Sequence, residues 1–184
     1  NSTTIVGVGE YLAQLLREKG YDVMHVTSVY DLVDGRLDRN EAYSKAQKEI
    51  SAILEANPGI QSVIAMHRDG VAEGTRLVTE IGGKTMARFM FFNGLSRTKK
   101  NGAIDYLYNP YIQDNLALTL QLKLMSEQYY PGLARNIYLR SLRYNLHLSD
   151  KALLIEVGAQ TNTLQEMLNT MEPLSDILDK VFDP

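Results

Sequence analysis

Two apolar stretches of the sequence end on residues that can carry acid–base or metal chemistry. The stretch VIAMHRD ends on His67, Arg68 and Asp69, and the stretch ALLIE ends on Glu156. If both stretches are neighbouring strands of a parallel sheet, His67 and Glu156 share one rim, where the functional residues of α/β proteins collect. A neutral imidazole binds zinc and a carboxylate accepts a proton from an attacking water, so the pair suits metal-assisted hydrolysis.

The spacing alone leaves a structural interpretation open for each of these residues. A single histidine at a strand end is more often structural than metal-ligating. Glu156 is more suggestive, because burying part of a carboxylate costs free energy unless a partner compensates. Asp69 either braces His67 or nearby backbone by a hydrogen bond, or it belongs to a simple loop.

Two further histidines could contribute. His25 alternates with Val23 and Val26 along a predicted strand, which favours a structural histidine. His147 lies in the stretch RYNLHLSD, just before the strand of Glu156, where it either orients Glu156 or contacts a substrate.

Other chemistries are excluded by what the sequence lacks. It contains no cysteine, so disulfides, cysteine-based zinc sites and thiol nucleophiles are ruled out. His-Arg-Asp also occurs in protein kinases, but no glycine-rich phosphate loop or Asp-Phe-Gly accompanies it here. No Gly-x-Ser-x-Gly of a serine hydrolase is present.

The composition is that of one globular domain over residues 1–184, with 45% hydrophobic and 22% charged residues. The formal net charge of −3 predicts no binding to nucleic acid. No apolar run of about 18 residues is present, which indicates a soluble chain or the soluble part of an anchored one. The first residue is not Met, so we expect a fragment.

The elements that must position these residues alternate between helix and strand. Helical spacing over residues 5–16 is followed by a predicted strand at 21–27, an Asp34-Gly35 turn and a second helix over 42–54. Strands are predicted at 60–66 and 87–92. This alternation predicts an α/β sheet covered by helices.

The second half of the chain carries the other candidate residues. Residues 93–115 are expected to form a substrate-facing loop. LALTLQLKLM alternates like a strand, but its composition and a capping Asp114 favour a helix. After the short apolar strand ALLIEVG, a capped amphipathic helix follows, in which Pro173 predicts a kink or a break.

Four segments, in this order, resemble one known family: VIAMHRDG, MFFNGLSR, YPGLARNIYLRSLRYNLHLS and LLIEVGAQTNTLQEM. Together they look like the stage II sporulation protein P family, peptidoglycan hydrolases of endospore-forming Firmicutes related to zinc-dependent N-acetylmuramoyl-L-alanine amidases. The resemblance implies a zinc amidase-like α/β fold, with a central twisted, mostly parallel sheet, helices on both faces and a shallow zinc groove. It also implies cleavage of the amide between N-acetylmuramic acid and L-alanine, and of peptide cross-links.

The resemblance carries expectations about biological context. Members of the family are membrane-anchored and work outside the cytoplasm, between mother cell and forespore, during engulfment. Their implied partners are the lytic transglycosylase stage II sporulation protein D and the membrane protein stage II sporulation protein M. Any membrane contact is expected through an anchor that is absent from this chain.

Residue by residue, the resemblance matches His67 to a zinc ligand and Glu156 to the carboxylate that activates water. It also matches Arg68, Asn145 and His147 to recurring family positions that shape the site or hold muropeptide. Arg143, from the same RYNLHLSD stretch, is a further candidate for substrate binding or for support of the site.

One departure from the family pattern leaves two functions open. The family carries a His-Thr-His segment with a nearby Glu before the first helix, whereas this sequence begins almost at that helix, with Asn1 near the position of a ligating Glu. We therefore expect an N-terminally incomplete amidase domain. The alternative is a catalytically silent homologue that binds the cell wall or a partner, and an unrelated α/β interaction domain ranks third.

Overall fold

The computed structural model describes residues 4–30, 32–33, 36–37 and 41–182. Its helices are α1 (Ile5–Glu18), α2 (Ala42–Ala56), α3 (Ile112–Tyr129) and α4 (Leu164–Phe182), with one 3-10 turn at Asp105–Leu107. Its strands are β1 (Leu32–Val33), β2 (Arg36–Leu37), β3 (Val63–Asp69), β4 (Val78–Ile81), β5 (Lys84–Ala87), β6 (Phe89–Gly94), β7 (Arg97–Thr98), β8 (Gly102–Ala103), β9 (Tyr138–Arg140) and β10 (Ala152–Ala159).

Four of the strands form a central sheet in the order β3-β10-β6-β9. The pairs β3/β10 and β6/β9 are parallel, and β10/β6 is antiparallel. The strands β1/β2, β4/β5 and β7/β8 form separate antiparallel pairs. The predicted fold class is therefore confirmed as a mixed α/β domain with a mostly parallel central sheet.

One face of the sheet carries the main core. Alternate residues of β10 point into it, namely Leu153, Ile155 and Val157, each at most 2% exposed. Helices α1, α3 and α4 supply the opposite side of this core. Burial of this apolar surface is the main source of stability for the domain.

Helix α4 closes this core and differs from one expectation. It begins with a capping box, in which Thr163 Oγ1 accepts from Glu166 N at 3.2 Å and Glu166 Oε2 accepts from Thr163 N at 3.0 Å. The prediction for Pro173 is a kink or a break; the helix runs on through this residue, so there is no break, and the kink stays a prediction. Pro173 is itself buried, next to the fully buried Leu174, and this packing offsets the hydrogen bond that proline removes.

The other face of the sheet has a smaller apolar cluster and is more open. Leu146, Ala152 and Leu154 are buried there, and Phe92 and Tyr144 pack against them. Helix α2, which has no buried residue, reaches this face through the ring of Tyr43. This second face is the one that carries the candidate active-site residues.

The predicted strand at residues 21–27 is wrong, because this segment has no regular secondary structure and pairs with no described strand. Its polar contacts go to α1 and, through Tyr21 Oη, which donates to Asp179 Oδ1 at 3.1 Å, to α4. The guanidinium of Arg17 donates to Val23 O at 2.8 and 3.3 Å, and Nδ1 of His25 lies 2.6 Å from Glu10 Oε2. An alternating sequence pattern cannot distinguish these helix contacts from sheet pairing.

The LALTLQLKLM segment is helical, as predicted, within α3. The helix begins at Ile112, so Asp114 lies in its first turn and does not cap it.

The segment expected to be a loop, residues 93–115, contains the β7/β8 hairpin and the 3-10 turn. The predicted Asp34-Gly35 turn lies outside the described residues. None of the described helices has the length and apolar character needed to cross a membrane.

The backbone of residues 142 and 143 passes directly over Gly94, at the end of β6. A Cβ added to Gly94 would lie 2.3 Å from Leu142 O and 2.8 Å from Arg143 O. We expect Gly94→Ala to lower the free energy of unfolding by about 2 to 3 kcal/mol, because backbone must move to make room. Denaturant unfolding of both proteins measures the difference.

Gly59→Ala is the matched control, because a Cβ there would meet no atom within 4 Å. We expect it to leave the stability unchanged or to raise it by up to about 1 kcal/mol through the unfolded state. Equal stabilities for the two variants would contradict the close packing of residues 142 and 143 on β6.

Candidate active site on the open face of the sheet

His67 and Glu156 are direct partners across the parallel pair of β3 and β10. Residues opposite each other in a sheet present their side chains on the same face. For Glu156 this is the face of Ala152 and Leu154, opposite the helical core. The structure therefore brings the two residues together, as predicted. The predicted position at a rim is wrong, because β3 continues to Asp69 and β10 to Ala159, so both residues lie on the face of the sheet.

The carboxylate of Glu156 sits in a poorly solvated place. Its Oε2 atom is buried and has no hydrogen-bond partner among the described residues. Burial, and after it the negative charge of Asp69, raise the pKa of Glu156 to about 7, against the opposing positive charge of Arg135. A carboxyl group with a pKa near neutrality can both accept and return a proton at physiological pH.

Asp69 is held by an ion pair at the end of β3. Arg135 Nη1 donates to Asp69 Oδ2 at 2.8 Å, and Arg135 N donates to Phe89 O at 2.7 Å, which ties this arginine to β6. The register of β10 against β3 shifts between Glu156 and Ala159, as is common for irregular strands beside active sites. The predicted bracing of His67 by Asp69 stays a prediction, and Arg135 was not singled out from the sequence.

Tyr43 of α2 lies over this pair and was missed by the sequence analysis. Its ring is nearly parallel to the imidazole of His67, with centroids 6.4 Å apart and an angle of 16° between the planes. It meets Tyr144 edge-on at 5.4 Å. Burial, with the nearby Glu156 and Tyr144, raises the pKa of Tyr43 to about 12, so its phenol stays neutral. Nothing in the spacing around Tyr43 marks it as a site residue.

The turn at residues 143–145 holds α2 in this place. Asn145 Nδ2 donates to Tyr43 O at 2.7 Å, and Arg143 donates to Tyr108 O at 3.2 Å and to Gln47 Oε1 at 3.4 Å. Tyr144 and Asn145 both have left-handed backbone, with φ of 52° and 58°, which is uncommon for residues other than glycine. Such backbone clusters at functional sites. Arg143 and Asn145 thus position the helix that covers the candidate site.

The remaining candidates lie in different surroundings. His147 Nδ1 is buried without a hydrogen-bond partner among the described residues, and burial, helped by Arg143, lowers the pKa of His147 to about 4. His147 is therefore neutral at physiological pH. Arg68 is exposed, and the alternation of β3 places it on the face opposite His67. His25 is paired with Glu10, as expected of a structural histidine.

A complete zinc site is not present among the described residues. Catalytic zinc usually has three protein ligands. No three histidine, aspartate or glutamate side chains lie close enough together, within residues 4–30 and 41–182, to hold one metal ion. His67 and Glu156 offer one imidazole and one carboxylate, and Asn1 lies outside the described residues.

The chain is thus a mixed α/β domain in which a histidine and a partly buried carboxylate lie side by side on the open face of the sheet. A sequence model of the family described as Stage II sporulation protein P (SpoIIP) matches residues 1–179. The chain therefore belongs to the stage II sporulation protein P family.

The chain is similar to a curated relative and to a solved structure. Stage II sporulation protein P of Bacillus subtilis (strain 168) is 25% identical over 182 residues, which cover 95% of this chain and 42% of that protein. The chain thus spans less than half the length of this relative. The apo crystal structure of the N-acetylmuramyl-L-alanine amidase Ami1 from Mycobacterium abscessus matches with a TM-score of 0.48 and 12% identity, over 95% of this chain and 76% of that one.

The raised pKa of Glu156 predicts a dependence of stability on pH. Between its ordinary pKa of 4.5 and about 7, the folded state keeps a proton that the unfolded state has lost. The free energy of unfolding should therefore fall by about 3 kcal/mol as the pH rises through this window. We expect Glu156→Gln to remove this fall and to be more stable than the unsubstituted protein at pH 8.

Denaturant unfolding of both proteins between pH 4.5 and pH 8, with a metal chelator present, measures the difference. Comparing the two proteins at each pH cancels the contribution of other groups, such as His147. Parallel stability curves for the two proteins would mean that Glu156 has an ordinary pKa.

Proposed function

We propose that this chain is the hydrolytic domain of a peptidoglycan hydrolase of sporulation, which cleaves the amide between N-acetylmuramic acid and L-alanine. The observation that carries the proposal is the register pair of His67 and Glu156, with Glu156 Oε2 buried and without a partner. Membership of the stage II sporulation protein P family supports the substrate class.

In this proposal Glu156 is the general base. A water molecule attacks the carbonyl carbon of the scissile amide, and Glu156 accepts a proton from that water. The carbon–nitrogen bond then breaks, and Glu156 returns the proton to the leaving amine of L-alanine. A pKa of about 7 suits both transfers, because the group is neither a very weak base nor a very weak acid near neutral pH.

The surrounding residues would set the conditions for this proton transfer. Tyr43 covers one side of the pair and limits access of water to Glu156. Asp69 raises the pKa of Glu156, and Arg135 holds Asp69 in place through their ion pair. Arg143 and Asn145 hold α2, and with it Tyr43, against the sheet.

Zinc belongs to the proposal only through His67. The described residues do not complete a zinc site, so no step above depends on the metal. We propose that His67 is one zinc ligand, and further ligands would have to come from residues that the structure does not describe. Cleavage of cross-links, action between mother cell and forespore, a membrane anchor, and partnership with stage II sporulation proteins D and M remain expectations of the family resemblance.

A second function is favoured by one observation. Because no three potential ligands converge among the described residues, a catalytically silent domain that binds the cell wall or a partner is the alternative. Such a domain would bind peptidoglycan without releasing fragments from it.

The test of the general base is Glu156→Gln in the complete natural gene product. We expect release of dye-labelled fragments from peptidoglycan to fall by at least about 100-fold, because the proton acceptor is lost. Circular dichroism should be unchanged, because the substitution keeps the size of the side chain. Glu172→Gln is the matched control, since Glu172 is an exposed carboxylate on α4 that pairs with Lys84.

An active Glu156→Gln protein would remove Glu156 from the mechanism. An unsubstituted protein that binds peptidoglycan but releases nothing would favour the binding module.

The test of the metal assignment is His67→Ala in the same gene product. We expect it to contain less zinc than the unsubstituted protein after dialysis against trace zinc, because one ligand is lost. Elemental analysis per mole of folded protein measures the change. His25→Ala is the matched control, because His25 is bonded to Glu10 of α1. Equal zinc contents for all three proteins would show that His67 is not a ligand.

A further inference from the structure

The outer strand of the central sheet, β9, presents two side chains on the same face as the candidate active site. Tyr138 pairs with Phe92 and Arg140 pairs with Gly94 across the β6/β9 pair. Phe92 packs in the apolar cluster of the open face, so Tyr138 and Arg140 point to that face as well. Leu139 lies between them and points to the other face. All three residues of β9 are exposed.

A row of aromatic rings connects this edge with the candidate active site. Tyr43, which lies over His67, meets Tyr144 with ring centroids 5.4 Å apart. Tyr144 meets Phe92 at 4.7 Å, and Phe92 meets Tyr138 at 5.4 Å. The two end rings are the exposed ones, with Tyr43 39% and Tyr138 43% exposed, whereas the two inner rings are partly buried. The row therefore offers a ligand two aromatic contacts, one beside Glu156 and one at the sheet edge.

The edge contact also carries a positive charge. The guanidinium carbon of Arg140 lies 5.5 Å from the centroid of the Tyr138 ring, and its Nη1 donates to Tyr138 Oη at 3.2 Å. Within residues 4–30 and 41–182, no carboxylate forms an ion pair with Arg140. The chain as a whole carries a net charge of −3. The guanidinium of Arg140 is thus held in one orientation on an acidic protein, and its remaining N–H groups can donate to an anion.

We propose that Tyr138 and Arg140 form a second subsite for the glycan strand of peptidoglycan, separate from the site of cleavage. A sugar ring packs its apolar C–H face against the exposed part of the Tyr138 ring, and a carboxylate attached to that sugar pairs with Arg140. This inference rests on the proposed function, because it places a neighbouring unit of the same polymer at the edge of the sheet.

This surface suits a polymer better than it suits a small ligand. A glycan strand continues beyond the amide that is cut, so it can reach from Glu156 across the face to β9. Its sugars have apolar faces for an aromatic side chain. They also carry carboxylates, either on the attached stem peptide or on the lactyl group that cleavage sets free. Both sources present the same group to Arg140.

Binding to insoluble peptidoglycan tests the subsite without turnover. Tyr138→Ala and Arg140→Ala are each combined with Glu156→Gln in the complete gene product, and co-sedimentation gives the dissociation constant. We expect each substitution to weaken binding about tenfold, as for the loss of one charged hydrogen bond or one aromatic contact. Tyr138→Phe should lose less affinity than Tyr138→Ala, because it keeps the ring and removes only the hydroxyl that accepts from Arg140.

Leu139→Ala is the matched control, since it truncates an exposed side chain of the same strand on the opposite face. We expect it to bind like the parent protein. If Tyr138→Ala and Arg140→Ala bind peptidoglycan as tightly as Leu139→Ala does, the proposal is overturned.

A second measurement separates this subsite from the catalytic site. In proteins that keep Glu156, Tyr138→Ala and Arg140→Ala should raise KM for polymeric peptidoglycan about tenfold. They should leave cleavage of a single soluble muropeptide unchanged, because that substrate does not reach β9. Equal losses on both substrates would show a structural effect and would overturn the subsite.

Binding to a third ligand, glycan strands stripped of stem peptides, shows which carboxylate pairs with Arg140. A difference between variant and parent that persists on stripped strands assigns Arg140 to the lactyl carboxylate. A difference confined to intact peptidoglycan assigns it to the stem peptide. If the unsubstituted protein binds no peptidoglycan, both the subsite and the proposed function are overturned. If the protein cleaves peptidoglycan but Tyr138→Ala and Arg140→Ala change neither binding nor KM, the subsite alone is overturned.

Discussion

The parallel pairing of β3 with β10 is the constraint on which the rest of the structure depends. Strand β10 lies between β3 and β6, and its alternate residues Leu153, Ile155 and Val157 are buried in the helical core. A register slip of one residue would move this apolar set to the open face and would turn Glu156 into the core. Burial of the apolar face therefore fixes the position of Glu156 beside His67.

The two faces of the sheet serve different purposes as a consequence. Helices α1, α3 and α4 pack on one face and bury most of the apolar surface. The other face is covered by a turn and by one helix with no buried residue, α2, so it keeps polar groups within reach of a ligand. The backbone of residues 142 and 143 lies very close to Gly94, so this turn packs tightly against the sheet, although the covering layer is thin.

The sequence predicts the parts of this arrangement that depend on strong local patterns. The runs that precede His67 and Glu156 are nearly continuously apolar, so the two strands and their pairing could be predicted. The sequence does not show that β3 continues to Asp69 and β10 to Ala159. The segment at 21–27 alternates equally well, but its polar contacts go to α1 and α4, and only the three-dimensional packing decides this. Tyr43 could not be predicted, because its place depends on the left-handed backbone of Tyr144 and Asn145.

Two glutamates of this chain show why Glu156 is better explained by chemistry than by stability. Glu166 is 8% exposed, and its carboxylate accepts from Arg76, from Asn162 Nδ2 at 2.9 Å and from Thr163 N at 3.0 Å. Each partner repays part of the cost of removing the charge from water. Glu156 Oε2 has no such partner among the described residues, and the charge of Asp69 opposes its ionisation. A carboxyl group of that kind lowers the stability of the ionised protein, and a role in proton transfer gives a physical reason for its presence.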